Sequence, residues 1–133
     1  MEITAAKDKS GKTGVEKIPF DYVLFLEWSA GIKRIIVHTV WGRKYYLTGP
    51  FKFWSQALVK SHGDIFYEVD RYNLVNAKNA KWIDTGSYKR VGFDDKLYCP
   101  MNTTKKYQET LEALISMNPS IRLSSETTKW SAY

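Results

Sequence analysis

Two cationic groups stand where a chain can present them to an anion. Lys33-Arg34 follow Ser29-Ala30-Gly31, a small-residue turn between two strand-like stretches. Adjacent cations on a rigid hairpin project outward, and an arginine fork matches guanine O6 and N7, worth about 1–3 kcal/mol of base discrimination. The bland alternative is a solvated turn. The second group, Asn102-Thr103-Thr104-Lys105-Lys106, opens a helical segment. Asn102 or Thr103 can cap it, and lysines in a first turn oppose the helix dipole. A helix start that tolerates them suits a phosphate held by backbone N–H groups, Lys105 and Lys106. Here the alternative is an exposed lysine pair without a role.

Catalytic patterns are missing from the sequence. It has no nucleophile motif, no Gly-rich phosphate loop and no paired His/carboxylate spacing. His38 and His62 are too few and too separate for a metal site, so neither metal nor cofactor is expected. Cys99 is the single cysteine; it excludes an internal disulfide and suits a cytoplasmic protein.

The 133 residues suffice for one core. No stretch is apolar enough to span a membrane, and the N-terminus does not look like a signal peptide. There are 20 Lys+Arg against 14 Asp+Glu. Residues 1–17 hold four of the lysines and three of the acids, so residues 18–133 carry 16 cations against 11 acids, a net +5. That balance suits a nucleic-acid binder, although many basic domains bind none.

The Lys-, Gly- and Ser-rich stretch 1–17 lacks periodicity and is expected to be a flexible arm. The domain is expected over 18–118. Strands are predicted at 22–28, 33–40 and 44–48 from alternating apolar and β-branched residues. Gly49-Pro50 opens a short helix whose Phe51, Trp54 and Leu58 share a face, and Gly63 ends it. Short strands follow at about 65–68, 71–76, 79–84, 87–93 and 96–99. A second helix runs from about Thr104 to Met117, with Tyr107, Leu111, Leu114 and Ile115 as its apolar stripe. The tail 119–133 either frays or docks as an edge element. The tryptophans Trp28, Trp41, Trp54 and Trp82 are expected to pack rather than to stack on bases. Overall the class is mainly β, with one internal helix and a C-terminal helix.

One segment carries more than periodicity. Phe66-Tyr67-Glu68-Val69-Asp70-Arg71-Tyr72-Asn73-Leu74-Val75-Asn76 resembles the central "FxRVHRSYLVN" element of LytTR-type DNA-binding domains, output modules of many bacterial response regulators. The likeness extends over residues 18–116: Ile18–Glu27 resembles the family's opening strand, Phe51–Leu58 stands at its short helix, and Phe93–Asn102 at its "ipvSRRy" turn. The resemblance implies an elongated arrangement of small antiparallel β-sheets that reads successive major grooves with loops.

Carried over position by position, it implies three double-stranded DNA contacts. Lys33 and Arg34 form the first. Asp70, Arg71 and Tyr72 form the second; the family has His-Arg or His-Asn there, so Asp70 is a departure. A carboxylate near phosphate is repelled unless it accepts from cytosine N4 or orients Arg71, and a simple Asp–Arg surface pair is the alternative. Asn102, Thr104, Lys105 and Lys106 form the third, where loss of the family's arginines puts base reading in doubt.

The expected protein is therefore a stand-alone DNA-binding transcriptional regulator, without the usual receiver domain, which could form a homodimer on paired half-sites. A LytTR-like module that binds another regulator, as inhibitor or co-regulator, is the other reading, favoured by Asp70 and the missing arginines.

Overall fold

The computed structural model describes residues 1–86, 88–101 and 106–124. Eleven strands and two α-helices are found among them. A seven-stranded antiparallel sheet has the order β2-β1-β5-β4-β3-β7-β6. Its strands are β1 (Glu2–Ala6), β2 (Val15–Pro19), β3 (Val23–Ser29), β4 (Arg34–Thr39), β5 (Lys44–Leu47), β6 (Phe66–Asp70) and β7 (Asn73–Asn76). A smaller sheet, ordered β10-β9-β8-β11, comprises β8 (Trp82–Asp84), β9 (Arg90–Gly92), β10 (Tyr98–Pro100) and β11 (Arg122–Ser124). The mainly β class read from the sequence is what the chain adopts.

Alternation along the strands sorts two cores onto the two faces of the large sheet. Leu26, Ile35, Val37, Tyr45, Leu47 and Leu74 bury against α1 (Phe51–His62) through Phe51 and Leu58. Phe25, Val69 and Val75 bury against the small sheet and α2 (Tyr107–Met117), meeting Ile83, Val91, Phe93, Cys99, Leu111 and Leu114. Phe25 is stacked between His38, 4.1 Å away, and Phe93, 5.4 Å away. Asn76 seals the end of β7: its side-chain amide donates to the carbonyls of Phe20 and Val23, and its Oδ1 accepts from the Lys78 N–H.

The predicted flexible arm is instead a β-hairpin. Ile3, Ala5 and Ile18 are buried in the core that α1 covers, while Thr4 and Lys17 face out. Five strand residues on each side pair in register, from Glu2 opposite Pro19 to Ala6 opposite Val15. The hairpin meets β5 at one residue pair, Ala6 opposite Tyr46. Period-2 alternation over so few residues was masked by the lysines and glycines of the turn; burial of the inward face outweighs that composition.

The start of the C-terminal tail docks rather than frays: β11 adds to β8 in parallel, with Leu123 opposite Ile83. No helix among the described residues is long and apolar enough to cross a membrane.

Candidate nucleic-acid interface

Three connections of the large sheet emerge at one end. The β3–β4 turn carries Lys33, the β5–α1 connection carries Gly49 and Pro50, and the β6–β7 turn carries Arg71 and Tyr72. Register requires this: Ile35 lies opposite both Trp28 and Leu47, and Glu27 lies opposite Asn73. The Trp28 N–H donates to the Tyr72 carbonyl at 2.9 Å and fastens the β6–β7 turn to the end of β3. Trp28, Pro50, Phe51, Lys52, Gln56, Glu68, Arg71 and Tyr72 line a cleft of about 530 Å³ between the start of α1 and the β6–β7 turn. The first two sites expected from the sequence thus share one end of the molecule.

The β6–β7 turn is built by its acid. Asp70 Oδ1 accepts from the Tyr72 N–H at 2.8 Å, and Asn73 Nδ2 donates to both Asp70 oxygens at 2.9 and 3.0 Å. This is an Asx turn, in which a carboxylate substitutes for backbone in closing the loop. Asn73 is buried, so its amide needs that partner. The exposed Arg71 projects from the turn with its guanidinium 5.7 Å from the centre of the exposed Tyr72 ring.

In the β3–β4 turn, Lys33 rather than Gly31 adopts the left-handed backbone, with φ of 54°. A lysine there costs about 1–2 kcal/mol relative to the right-handed region. Its side chain is exposed. Arg34 behaves differently. Its Nε–H donates to the Lys9 carbonyl and its Nη1 donates to the Lys33 carbonyl, both at 2.9 Å. Arg34 therefore braces the β3–β4 turn against the β1–β2 turn, and the two sequence-adjacent cations have separate roles.

That contact brings the β1–β2 turn, with Lys7, Lys9 and Lys12, to the base of the β3–β4 turn. Reading residues 1–17 as an unstructured arm left those lysines out. The first turn of α1 adds Lys52. The four segments 7–14, 30–34, 48–52 and 70–72 hold seven cations and two acids, Asp8 and Asp70, and each acid is hydrogen-bonded inside its own turn. Glu68 also lines the cleft, so this end carries seven cations against three acids, and its balance is positive.

Of the third expected site, Lys106 is exposed and directly precedes α2, which no side chain among the described residues caps. Asn102, Thr104 and Lys105 lie outside the described residues. Trp82 is buried, and Trp28 and Trp54 pack against the α1-side core. Trp41 is the exception: it is exposed in the β4–β5 turn and stacks on Tyr22 at 4.8 Å. Cys99 is fully buried, and desolvation pushes its thiol pKa well up, which keeps it protonated and unreactive.

No protein-family model and no curated protein matches the chain. Among solved structures it is similar to the LytTr DNA-binding domain of a putative methyl-accepting/DNA response regulator from Bacillus cereus. The two share 19% sequence identity and superpose with a TM-score of 0.62, over 87% of this chain and 94% of the other. The fold of this chain is therefore that of a LytTr DNA-binding domain.

Proposed function

We propose that this protein is a DNA-binding transcriptional regulator that reads the major groove of duplex DNA with turns from one end of its large sheet. The observation that carries the reading is the convergence of Lys33 and Arg71, 38 positions apart in sequence, on a single cationic end. The structural likeness to a LytTr DNA-binding domain supports it. Arg71 is the base reader: it leaves a turn that Asp70 and Asn73 hold rigid, and its exposed guanidinium can pair bidentately with guanine. Lys33 and Lys52 contact phosphates, and Arg34 holds the β3–β4 turn in place. Lys106, with Asn102, Thr104 and Lys105, adds backbone contacts near the start of α2. Binding to paired half-sites would engage two copies, each supplying one such end.

Selection of binding sites from random duplex DNA tests this. The expected product is a motif with two half-sites about one helical turn, 10 bp, apart. Arg71→Ala is expected to relax the preference at one position of each half-site, costing about 1–3 kcal/mol on the preferred sequence and little on others. An equal loss on every sequence would remove the base-reading role.

One observation favours a second reading, a module that binds another regulator. β6 is an edge of the large sheet, and beside it Phe53, Gln56, Ala57, Lys60 and Tyr67 line an open groove of about 840 Å³. Phe53 is 62% exposed there. An extended segment of a partner could add to the β6 edge and seat side chains along α1. Failure to enrich any DNA motif, with Phe53→Ala abolishing binding to a partner regulator, is the outcome this reading predicts.

A further inference from the structure

The β1–β2 turn is the feature that a DNA-reading end formed by the β3–β4 and β6–β7 turns does not use. It holds Lys7, Lys9 and Lys12 within six residues, with Lys9 and Lys12 exposed. Its one acid is spent on the turn. Asp8 Oδ2 accepts from Ser10 Oγ at 2.6 Å, and Oδ1 accepts from the Thr13 N–H at 3.0 Å and from Thr13 Oγ1 at 2.8 Å. The Gly11 N–H donates to the Asp8 carbonyl and the Lys7 N–H to the Gly14 carbonyl. Gly11 and Gly14 take φ of 74° and 92°, a conformation that other residues rarely adopt. The loop is thus ordered before any ligand arrives, so little conformational entropy remains to be lost on binding.

Its position is fixed as well. The Arg34 Nε–H bond to the Lys9 carbonyl ties the loop to the turn that carries Lys33. Phosphate contacts need cations held in register with the reading groups, not sequence-specific geometry.

We propose that the β1–β2 turn is a DNA-backbone clamp: Lys7, Lys9 and Lys12 engage phosphates beside the groove entered by the β3–β4 turn, with Arg34 as the residue that positions the loop. This rests on the DNA-binding reading above and adds a contact surface to it.

The test is the salt dependence of affinity for the selected duplex and for an unrelated duplex of equal length. Wild type is compared with the triple variant Lys7→Gln/Lys9→Gln/Lys12→Gln and with Arg34→Ala. Each lost phosphate contact removes about 0.9 from the slope of log affinity against log salt. The triple variant is expected to show a slope shallower by about 2.7, and affinity lower on the order of tenfold for both duplexes. Its selected motif and melting temperature should match wild type, because these lysines take no part in the core. Arg34→Ala is expected to give a smaller loss of slope with an unchanged motif. A triple variant with wild-type slope and affinity overturns the clamp while leaving the DNA-binding reading intact. A changed motif in Arg34→Ala overturns the positioning role and makes that arginine a base reader. Absence of salt-dependent duplex binding by wild type overturns the functional reading and the clamp together.

Discussion

Asp70 and Asn73 close the β6–β7 turn on each other, with the Asn73 amide donating to both carboxylate oxygens. The acid that looks out of place at a DNA-facing turn is therefore a structural part of it. Removing it leaves a buried amide without its acceptor, which costs about 1–3 kcal/mol. Asp70→Ala is expected to lower stability by that amount in denaturant unfolding and also to weaken binding to the preferred duplex. An acid that merely repelled phosphate would give the reverse: tighter binding on its removal.

Lys33 is a residue whose backbone conformation works against stability. At φ of 54° glycine is the better choice. Lys33→Gly is expected to stabilise the fold by about 0.5–1 kcal/mol and, by removing a phosphate-facing cation, to lower DNA affinity. Unfolding and binding measured on the same variant should move in opposite directions. A variant that gains stability and keeps wild-type affinity would show that Lys33 does not touch DNA.

In the small sheet, Trp82 on β8 lies across Gly92 on β9, its partner in register. A Cβ built on Gly92 would fall 1.8 Å from the indole ring. The indole is also held by its Nε1–H, which donates to the Asp94 carbonyl at 3.1 Å. Gly92→Ala is expected to destabilise the protein by about 3 kcal/mol, the upper end for overpacking. Adding Trp82→Leu should recover part of that loss, a coupling that a double-mutant cycle reads directly.

Two carboxylates are held ionised by hydrogen bonds and contribute to the response to acid. Hydrogen bonds from Ser10 and then Thr13 hold the Asp8 pKa well below the ordinary carboxylate range. The Glu27 pKa is also lowered, first by its hydrogen bond with His38, whose Nε2 lies 2.7 Å away. A group with a depressed folded-state pKa contributes stability above its unfolded pKa and loses it as pH falls through the folded value. The contribution of these two groups to stability is therefore expected to decline only below about pH 4.5, the upper of the two unfolded values. The Thr13 amide resonance should keep its position until the solution is more acidic than pH 3.8. Titration of that amide at or above pH 3.8 would mean the Asp8 turn does not form.

Much of the architecture was legible because it rests on local signals. Alternation in 22–28 and 33–40, Pro50 and Gly63 bracketing α1, and Asn118-Pro119 ending α2 each have a mechanism that a single segment supplies. The hairpin of 1–17 was not, since Ile3 and Ala5 are inward only in relation to a core assembled from distant residues. The same holds for the candidate site. Arg71 is reached through the resemblance of residues 66–76; strand patterning alone puts it at the start of a strand, and the structure places it in the β6–β7 turn. Arg34 turning back to Lys9 could not be read at all, because that bond joins residues 25 positions apart. Lys33 and Arg34 look equivalent in sequence, and only tertiary structure separates the exposed cation from the brace.

The central claim is that one end of the large sheet is the DNA face, and amide chemical-shift mapping on titration with the selected duplex tests it most directly. Changes confined to residues 7–14, 30–34, 48–52 and 70–72, together with residues around Lys106, are predicted, with the β4–β5 turn at Trp41 unmoved. Shifts concentrated on Trp41 and Tyr22, or along the groove between Phe53 and Tyr67, would contradict it.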